Sequence, residues 1–240
     1  MADLYSEDLA FIHHTAFGDF ALRAAPRLLE LLQQAGISNG LVVDLGCGSG
    51  IGARELIRAG YEVVGVDQSA SMLELARQTA PDATFLRGSL HEIAIPPCRA
   101  VTVIGEGLSY DDGTHAGLEP VFRRVADALE PGGLFVFDVI VRSRDEGMHY
   151  DRLWEGPDWT LRVAVRETPA DRLLIRTVEL SRSADGERRV SRETHRVLTF
   201  DTDEIEAGLH AAGFSVCVSR CYGSCPLPSQ RLAFQARKRC

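Results

Sequence analysis

The chain has 240 residues, with 34 acidic against 26 basic side chains and a net charge of −8. An acidic chain lacks the basic face with which a general nucleic-acid binder neutralises phosphates, so that class is set aside. No run of about 18 apolar residues occurs, and the first twenty positions carry Asp3, Glu7, Asp8 and Asp19, so neither a membrane span nor a secretory signal is expected and the expected location is cytoplasmic. Residues 1–36 read as two helices, Tyr5 to about Phe17 and Phe20 to Ala35, the second with Leu22, Leu28, Leu29, Leu31 and Leu32 on one face and Gly36 as its stop. From 37 to 141, strand and helix alternate: strands are predicted at 41–45, 62–66, 83–86, 100–105 and 133–139, and helices at 51–59, 70–79 and 115–129. That alternation demands a parallel sheet with right-handed crossovers. Between 142 and 200 the period changes to two, with Leu161, Val163 and Val165 alternating with Arg162, Ala164 and Arg166. An antiparallel meander of three strands follows, near 160–167, 172–182 and 189–200. In 201–240 a helix at 202–212 ends at Gly213, and strands at 214–221 and 231–237 return to the core.

The most informative segment is Val42-Val43-Asp44-Leu45-Gly46-Cys47-Gly48-Ser49-Gly50, an apolar run that ends in an acid and breaks into alternating glycines. Glycine lets the backbone turn sharply and approach a ligand without a Cβ in the way. A second predicted strand ends at Asp67, where a carboxylate can accept two hydrogen bonds from a ribose diol. Gly48 and Gly50, with Ala53, also satisfy the dinucleotide fingerprint. Two features oppose that alternative. Asp44 would repel a pyrophosphate in the turn, and the meander stands where a second mononucleotide-binding half would be needed.

Residues 37–141 thus resemble a class I S-adenosylmethionine-dependent methyltransferase, and the chain is most similar to the small bacterial single-domain enzymes that methylate metabolites. The resemblance implies a Rossmann-like α/β fold: a seven-stranded, mostly parallel sheet with the last strand antiparallel, helices on both faces, and an antiparallel β insertion after the fifth strand. It implies four regions: a helical lid over 1–36, a cofactor-binding core over 37–141, an acceptor-site wall over 142–200, and a closing helix and strands over 201–240. It implies S-adenosylmethionine as cofactor, S-adenosylhomocysteine as product, and methyl transfer to a nitrogen or oxygen of a small-molecule acceptor. By the same resemblance, Asp44, Gly46, Cys47, Gly48 and Gly50 meet the methionine part and Asp67 the ribose, with Gln68 beside it. Met72 packs near the adenine, and Gly88, Ser89 and Leu90 meet its edge. Ser89 stands where the family often has an acid. Glu106 and Gly107 lie at the boundary between cofactor and acceptor, and Tyr5 belongs to the segment that folds over the cofactor. A non-catalytic S-adenosylmethionine-binding protein and a nicotinamide-dependent oxidoreductase are the alternative readings.

Methyl transfer is an in-line displacement, so alignment and exclusion of water matter and a base is needed only for an acceptor such as an alcohol. The candidates for handling protons are His13, His14, Glu106 and His149; Phe17, Tyr110 and Trp154 are candidates for lining the acceptor site. Arg142, Arg144 and Arg152 suit an anionic acceptor, and His91, His115, His195 and His210 read as surface or packing residues. No metal is expected. Cys217, Cys221 and Cys225 have three-residue spacers and no fourth ligand, and Asp138 with Glu106 offers too few oxygens for magnesium. The protein is expected as a monomer or homodimer without membrane attachment, the insertion serving as lid or as dimer edge.

Overall fold

The computed structural model describes residues 4–239 other than 112, 114–116 and 145, so His115 lies outside the described residues. Two helices, α1 (Glu7–Phe17) and α2 (Asp19–Gln34), precede β1 (Leu41–Leu45), α3 (Ile51–Arg58), β2 (Glu62–Asp67), α4 (Ala70–Thr79), β3 (Thr84–Arg87) and β4 (Cys98–Val103). Then come α5 (Glu119–Ala128) and β5 (Leu129–Ile140). The inserted strands are β6 (His149–Glu155), β7 (Trp159–Thr168), β8 (Leu173–Ala184) and β9 (Glu187–Leu198). Helix α6 (Thr202–Ala211), β10 (Phe214–Ser219), a two-residue hairpin of β11 (Cys221–Tyr222) and β12 (Cys225–Pro226), and β13 (Arg231–Lys238) close the chain.

The central sheet has the order β10-β13-β5-β4-β1-β2-β3. Strands β1 to β5 pair in parallel, while β13 inserts antiparallel between β5 and β10. The parallel sheet expected from the alternation is therefore present, as is the seven-stranded arrangement with the last strand antiparallel that the resemblance implies. Strand order reverses between β1 and β4, which opens a crevice beyond their carboxyl ends. One side of the sheet packs through Phe122, Phe135, Phe137, Phe214 and Phe234, all at most 1 % exposed. Leu28, Leu32, Val42, Leu56 and Tyr222 fill the other side, under α2 and α3.

The insertion forms a separate antiparallel sheet of four strands, β6-β7-β8-β9. Its first strand was not predicted, because His149–Glu155 carries no clean alternation of apolar residues; pairing with β7 over all seven positions makes it a strand. Leu161, Val178 and Leu180 on the sheet's inner face pack with Leu9 and Ile12 of α1. Helix α1 is also pinned electrostatically: buried Asp8 accepts from Arg182 Nη1 at 2.9 Å, and that guanidinium lies over the Phe11 ring. No helix among the described residues is long and apolar enough to cross a membrane.

Gly50 ends the glycine turn and precedes α3 at φ 77°, and a Cβ there would sit 2.9 Å from Ala76 Cα on α4. Left-handed backbone costs a non-glycine residue roughly 1–2 kcal/mol, before any displacement of the α4 backbone. Gly50→Ala is therefore expected to lower stability by about 2 kcal/mol and Tm by about 4–8 °C in a thermal melt. An unchanged Tm would show that this helix contact is dispensable.

Candidate active site

The glycine turn is fixed by the end of the neighbouring strand. Gly46 and Cys47 both donate their N–H to the Val66 carbonyl, at 2.7 and 2.9 Å. Gly48 N–H donates to Asp67 Oδ2 at 2.9 Å, and Ser69 N–H donates to Oδ1 at the same distance. Both Asp67 oxygens are thus oriented by backbone, and each keeps a lone pair for a further donor. A Cβ on Gly48 would meet nothing within 4 Å, so the turn presents bare backbone to open space. Ser69 caps α4 through the Met72 N–H and donates its hydroxyl to the Tyr5 carbonyl, which ties the segment before α1 to the core.

Two acids give this half of the site its negative charge. Asp44 is buried at the end of β1, accepts from the Thr102 hydroxyl at 2.7 Å, and has its carboxyl raised to about 6. Burial is the main cause, the Thr102 hydrogen bond opposes it, and Asp67 adds to it. A carboxylate so deprived of water is relieved by a cation. The Cys47 thiol is pushed far up by burial and by Asp44 and Asp67, which leaves it protonated and unsuited as a nucleophile.

Beyond β4 the backbone is strained. Glu106 is a non-glycine residue at φ 62°, a conformation costing about 1–3 kcal/mol. Asp138, fully buried at the end of β5, holds it there by accepting from the N–H groups of Gly105 and Glu106 at 2.7 and 3.0 Å. Asp138 also accepts from the Tyr222 hydroxyl at 2.6 Å. The Glu106 side chain binds Arg176 of β8 at 2.5 Å through one oxygen and Arg231 of β13 at 2.7 Å through the other. Burial alone would raise its carboxyl, but the two guanidiniums outweigh burial and hold it below the usual range.

The inner face of the insertion sheet closes the site from the other side. Glu193 accepts from the N–H groups of Tyr5 and Ser6, both at 2.8 Å, and lies 2.8 Å from His195 Nε2. Burial would raise the Glu193 carboxyl, but these hydrogen bonds bring it down to about 2. The Tyr5 and Tyr110 hydroxyls lie 2.7 Å apart, and Arg176 donates to Tyr110 at 3.1 Å. His13 stands edge-on to Tyr5, and Phe17 edge-on to Trp154. Burial, reinforced by Arg176, lowers the His13 imidazole to about 4, so it is neutral at physiological pH. These parts enclose a cavity of about 620 Å³.

Of the residues suggested by sequence, Tyr5, Asp44, Gly46, Cys47, Gly48 and Asp67 line this cavity. So do Gln68, Met72, Gly88, Ser89, Leu90, Glu106 and Gly107, as well as His13, Phe17, Tyr110 and Trp154. Three of the expected residues lie outside this cavity. Gly50 does not line the cavity, because its role is the tight approach to α4. His14 lies one residue round α1 from His13 and turns to Ser49, with Nδ1 2.8 Å from the hydroxyl. His149 is exposed on β6 and faces away from the cavity, since alternation along the strand turns Tyr150 and Trp154 inward instead. His195, read as a surface or packing residue, is 1 % exposed and part of the wall. Arg176 and Arg231 were missed. A single charged residue in the apolar inner row Leu174, Val178, Leu180 was the available signal for Arg176. Arg142 is engaged by Asp201 at 3.0 Å, and Arg144 is exposed.

Residues 42–133 match the family model of the methyltransferase domain. The protein is an S-adenosylmethionine-dependent methyltransferase. It is 25 % identical over 219 residues to the dTDP-3-amino-3,6-dideoxy-α-D-glucopyranose N,N-dimethyltransferase of Streptomyces fradiae, covering 88 % of this chain and 86 % of that one. It is 35 % identical over 137 residues to the trans-aconitate 2-methyltransferase of Paracidovorax citrulli (strain AAC00-1), a match spanning 55 % of this chain and half the length of that relative. The crystal structure of an S-adenosylmethionine-dependent methyltransferase from Clostridium acetobutylicum ATCC 824 superposes with a TM-score of 0.82 at 16 % identity, covering 97 % of this chain and 98 % of that one. As a methyltransferase of this kind the protein uses S-adenosylmethionine, and its cavity suits that cofactor: a bare glycine turn, an oriented carboxylate at the end of β2, and a buried acid that favours a cation. The nicotinamide alternative falls with this assignment.

The raised Asp44 carboxyl sets a pH dependence for this methyltransferase. A cationic ligand nearby favours the ionised acid, so affinity is retained above the free-site value of about 6 and lost as pH falls through it. In calorimetric titrations with S-adenosylmethionine, Kd is expected to rise by up to about tenfold per pH unit below that value, and Asp44→Asn to flatten the dependence. A Kd constant from pH 7.5 to about 5 would refute the coupling.

Proposed function

We propose that this methyltransferase transfers the methyl group of S-adenosylmethionine to a nitrogen or oxygen of a small-molecule metabolite, with nitrogen as the favoured acceptor atom. A small acceptor is supported by the cavity: α1 and the insertion sheet roof it, and its size lies in the range of small-molecule sites, about 300–1,000 Å³. Nitrogen is supported by what the cavity does not offer. Glu106, the carboxylate at the acceptor boundary, has one oxygen bound by each of two arginines, and His13 at about 4 is a weak base. An alcohol requires a base near its hydroxyl, whereas an amine that arrives neutral attacks with its own lone pair and sheds the proton afterwards. The Streptomyces fradiae relative, which aligns along most of the chain, is named for methylation of an amino group.

In this reading Asp67 and Gln68 hold the ribose, Asp44 and the turn of Gly46, Cys47 and Gly48 hold the charged amino-acid end, and Met72, Gly88, Ser89 and Leu90 surround the adenine. S-adenosylmethionine supplies an electrophilic methyl group on a positively charged sulfur. Tyr5, Phe17, Tyr110 and Trp154 exclude water and orient the acceptor for in-line approach. Neutral His13 adds no positive charge beside the donor, and its ring accepts a hydrogen bond from the attacking group.

Asp67→Ala removes the charged acceptor of two hydrogen bonds, so the Kd for S-adenosylmethionine is expected to rise at least about tenfold; unchanged affinity would remove the ribose assignment. A panel of small amines and their hydroxyl counterparts, with release of S-adenosylhomocysteine as the readout, tests the acceptor atom. Amines should turn over with kcat/KM rising towards the pKa of each amine. Turnover of hydroxyl compounds alone would overturn the nitrogen assignment.

A further inference from the structure

Behind the acceptor end of the cavity lies a smaller recess of about 190 Å³, lined by Arg152, Arg176, Arg231, Ser229 and Tyr150 among others. It shares Glu106, Tyr150, Arg176, Pro228 and Arg231 with the main cavity, so the two are contiguous. Its charge balance is unusual for an acidic protein. Three guanidiniums from three strands converge here, while the carboxylates that answer them are Glu106 and, behind it, Asp138. Arg176 and Arg231 take up Glu106, and Arg231 also approaches Asp138 at 3.5 Å. Arg152 is left over. It lies over the Tyr150 ring, 5.2 Å from the centroid, and no carboxylate among the described residues pairs with it.

We propose that this recess binds an oxyanion group, phosphate or carboxylate, carried by the methyl acceptor, with Arg152 as its main anchor and Arg176 and Arg231 lending further N–H donors. A guanidinium presents five donors in a planar fork that matches either oxyanion. Arg176 and Arg231 each have two donor nitrogens engaged in the contacts described, so neither fork is exhausted. The Tyr150 ring lies against the Arg152 guanidinium, and this contact reduces the ordering that binding requires. An acceptor whose anion enters the recess has its opposite end in the main cavity, towards Tyr110 and His13. The inference rests on the methyl-transfer reading and adds to it the chemical class of the acceptor.

The test uses the full chain saturated with S-adenosylhomocysteine at low ionic strength, titrated in parallel with inorganic phosphate and with acetate and followed by ligand-observed NMR. Wild type is expected to bind at least one of the two with a Kd of about 1–10 mM. Arg152→Ala should weaken that binding at least about fivefold and Arg152→Glu should abolish it, while Arg162→Ala, on the opposite face of the sheet, should leave it unchanged. Preference for phosphate or for acetate identifies which oxyanion the acceptor carries. No binding of either anion up to about 50 mM, or binding indifferent to Arg152, would overturn the proposal. Wild type that fails to bind S-adenosylhomocysteine in the same samples would instead overturn the methyl-transfer reading, so the two failures are distinguishable.

Discussion

The buried carboxylate of Glu106 joins the two halves of this molecule. It projects from a strained turn at the end of β4, and its partners come from β8 of the insertion and β13 at the chain's end. Burying a charge is costly, and removing one partner of a buried pair costs about 3–5 kcal/mol because the other is left stranded. The strain, the desolvation and the two guanidiniums therefore stand or fall together. Asp138 beneath supplies the fourth element by fixing the backbone of the turn from β5. The insertion sheet is thus held over the cofactor core in one orientation, which contacts between apolar faces, being non-directional, would not specify.

The segment before α1 is governed by the same logic. Tyr5 sits at φ 57° with its carbonyl bonded to the core through Ser69, its N–H bonded to the insertion through Glu193, and its hydroxyl paired with Tyr110. One residue therefore ties the segment before α1 both to the core and to the insertion. This convergence buries the groups at that end of the cavity, and buried charges act more strongly on one another. The His13 imidazole is neutral for that reason.

The parts of the site written in short stretches of sequence were legible. The glycine turn and Asp67 lie at strand ends in an alternating βα pattern, and the rule that ligands bind beyond the carboxyl ends of parallel strands turns those positions into one rim. Glu106 could be placed beyond the end of β4, but its ion pairs could not be read, because Arg176 and Arg231 stand 70 and 125 positions further along the chain. Alternation in β8 and β9 shows which residues share a face, yet not which of them lies over the cofactor; that depends on the register of the whole sheet against the core. His149 shows the limit from the other side. It is near Trp154 in sequence, but strand geometry sends its side chain to the opposite face from Tyr150 and Trp154. Helix geometry separates His13 from His14 in the same way.

The charges inside the cavity are segregated in a way that net charge conceals. Asp44 and Asp67 face the end formed by the glycine turn, and the arginines gather at the end formed by the insertion. The Glu106 pairs consume most of the positive charge at that second end, so its surplus resides in one side chain at the rim. A donor bearing a cation is favoured at one end and disfavoured at the other, and the reverse holds for an anionic acceptor. Each ligand is therefore directed to its own half by the field it meets on entry, before close contacts form. For an in-line displacement that ordering matters, because donor and acceptor must meet head-on, and opposite charges at opposite ends orient both along the axis that joins them.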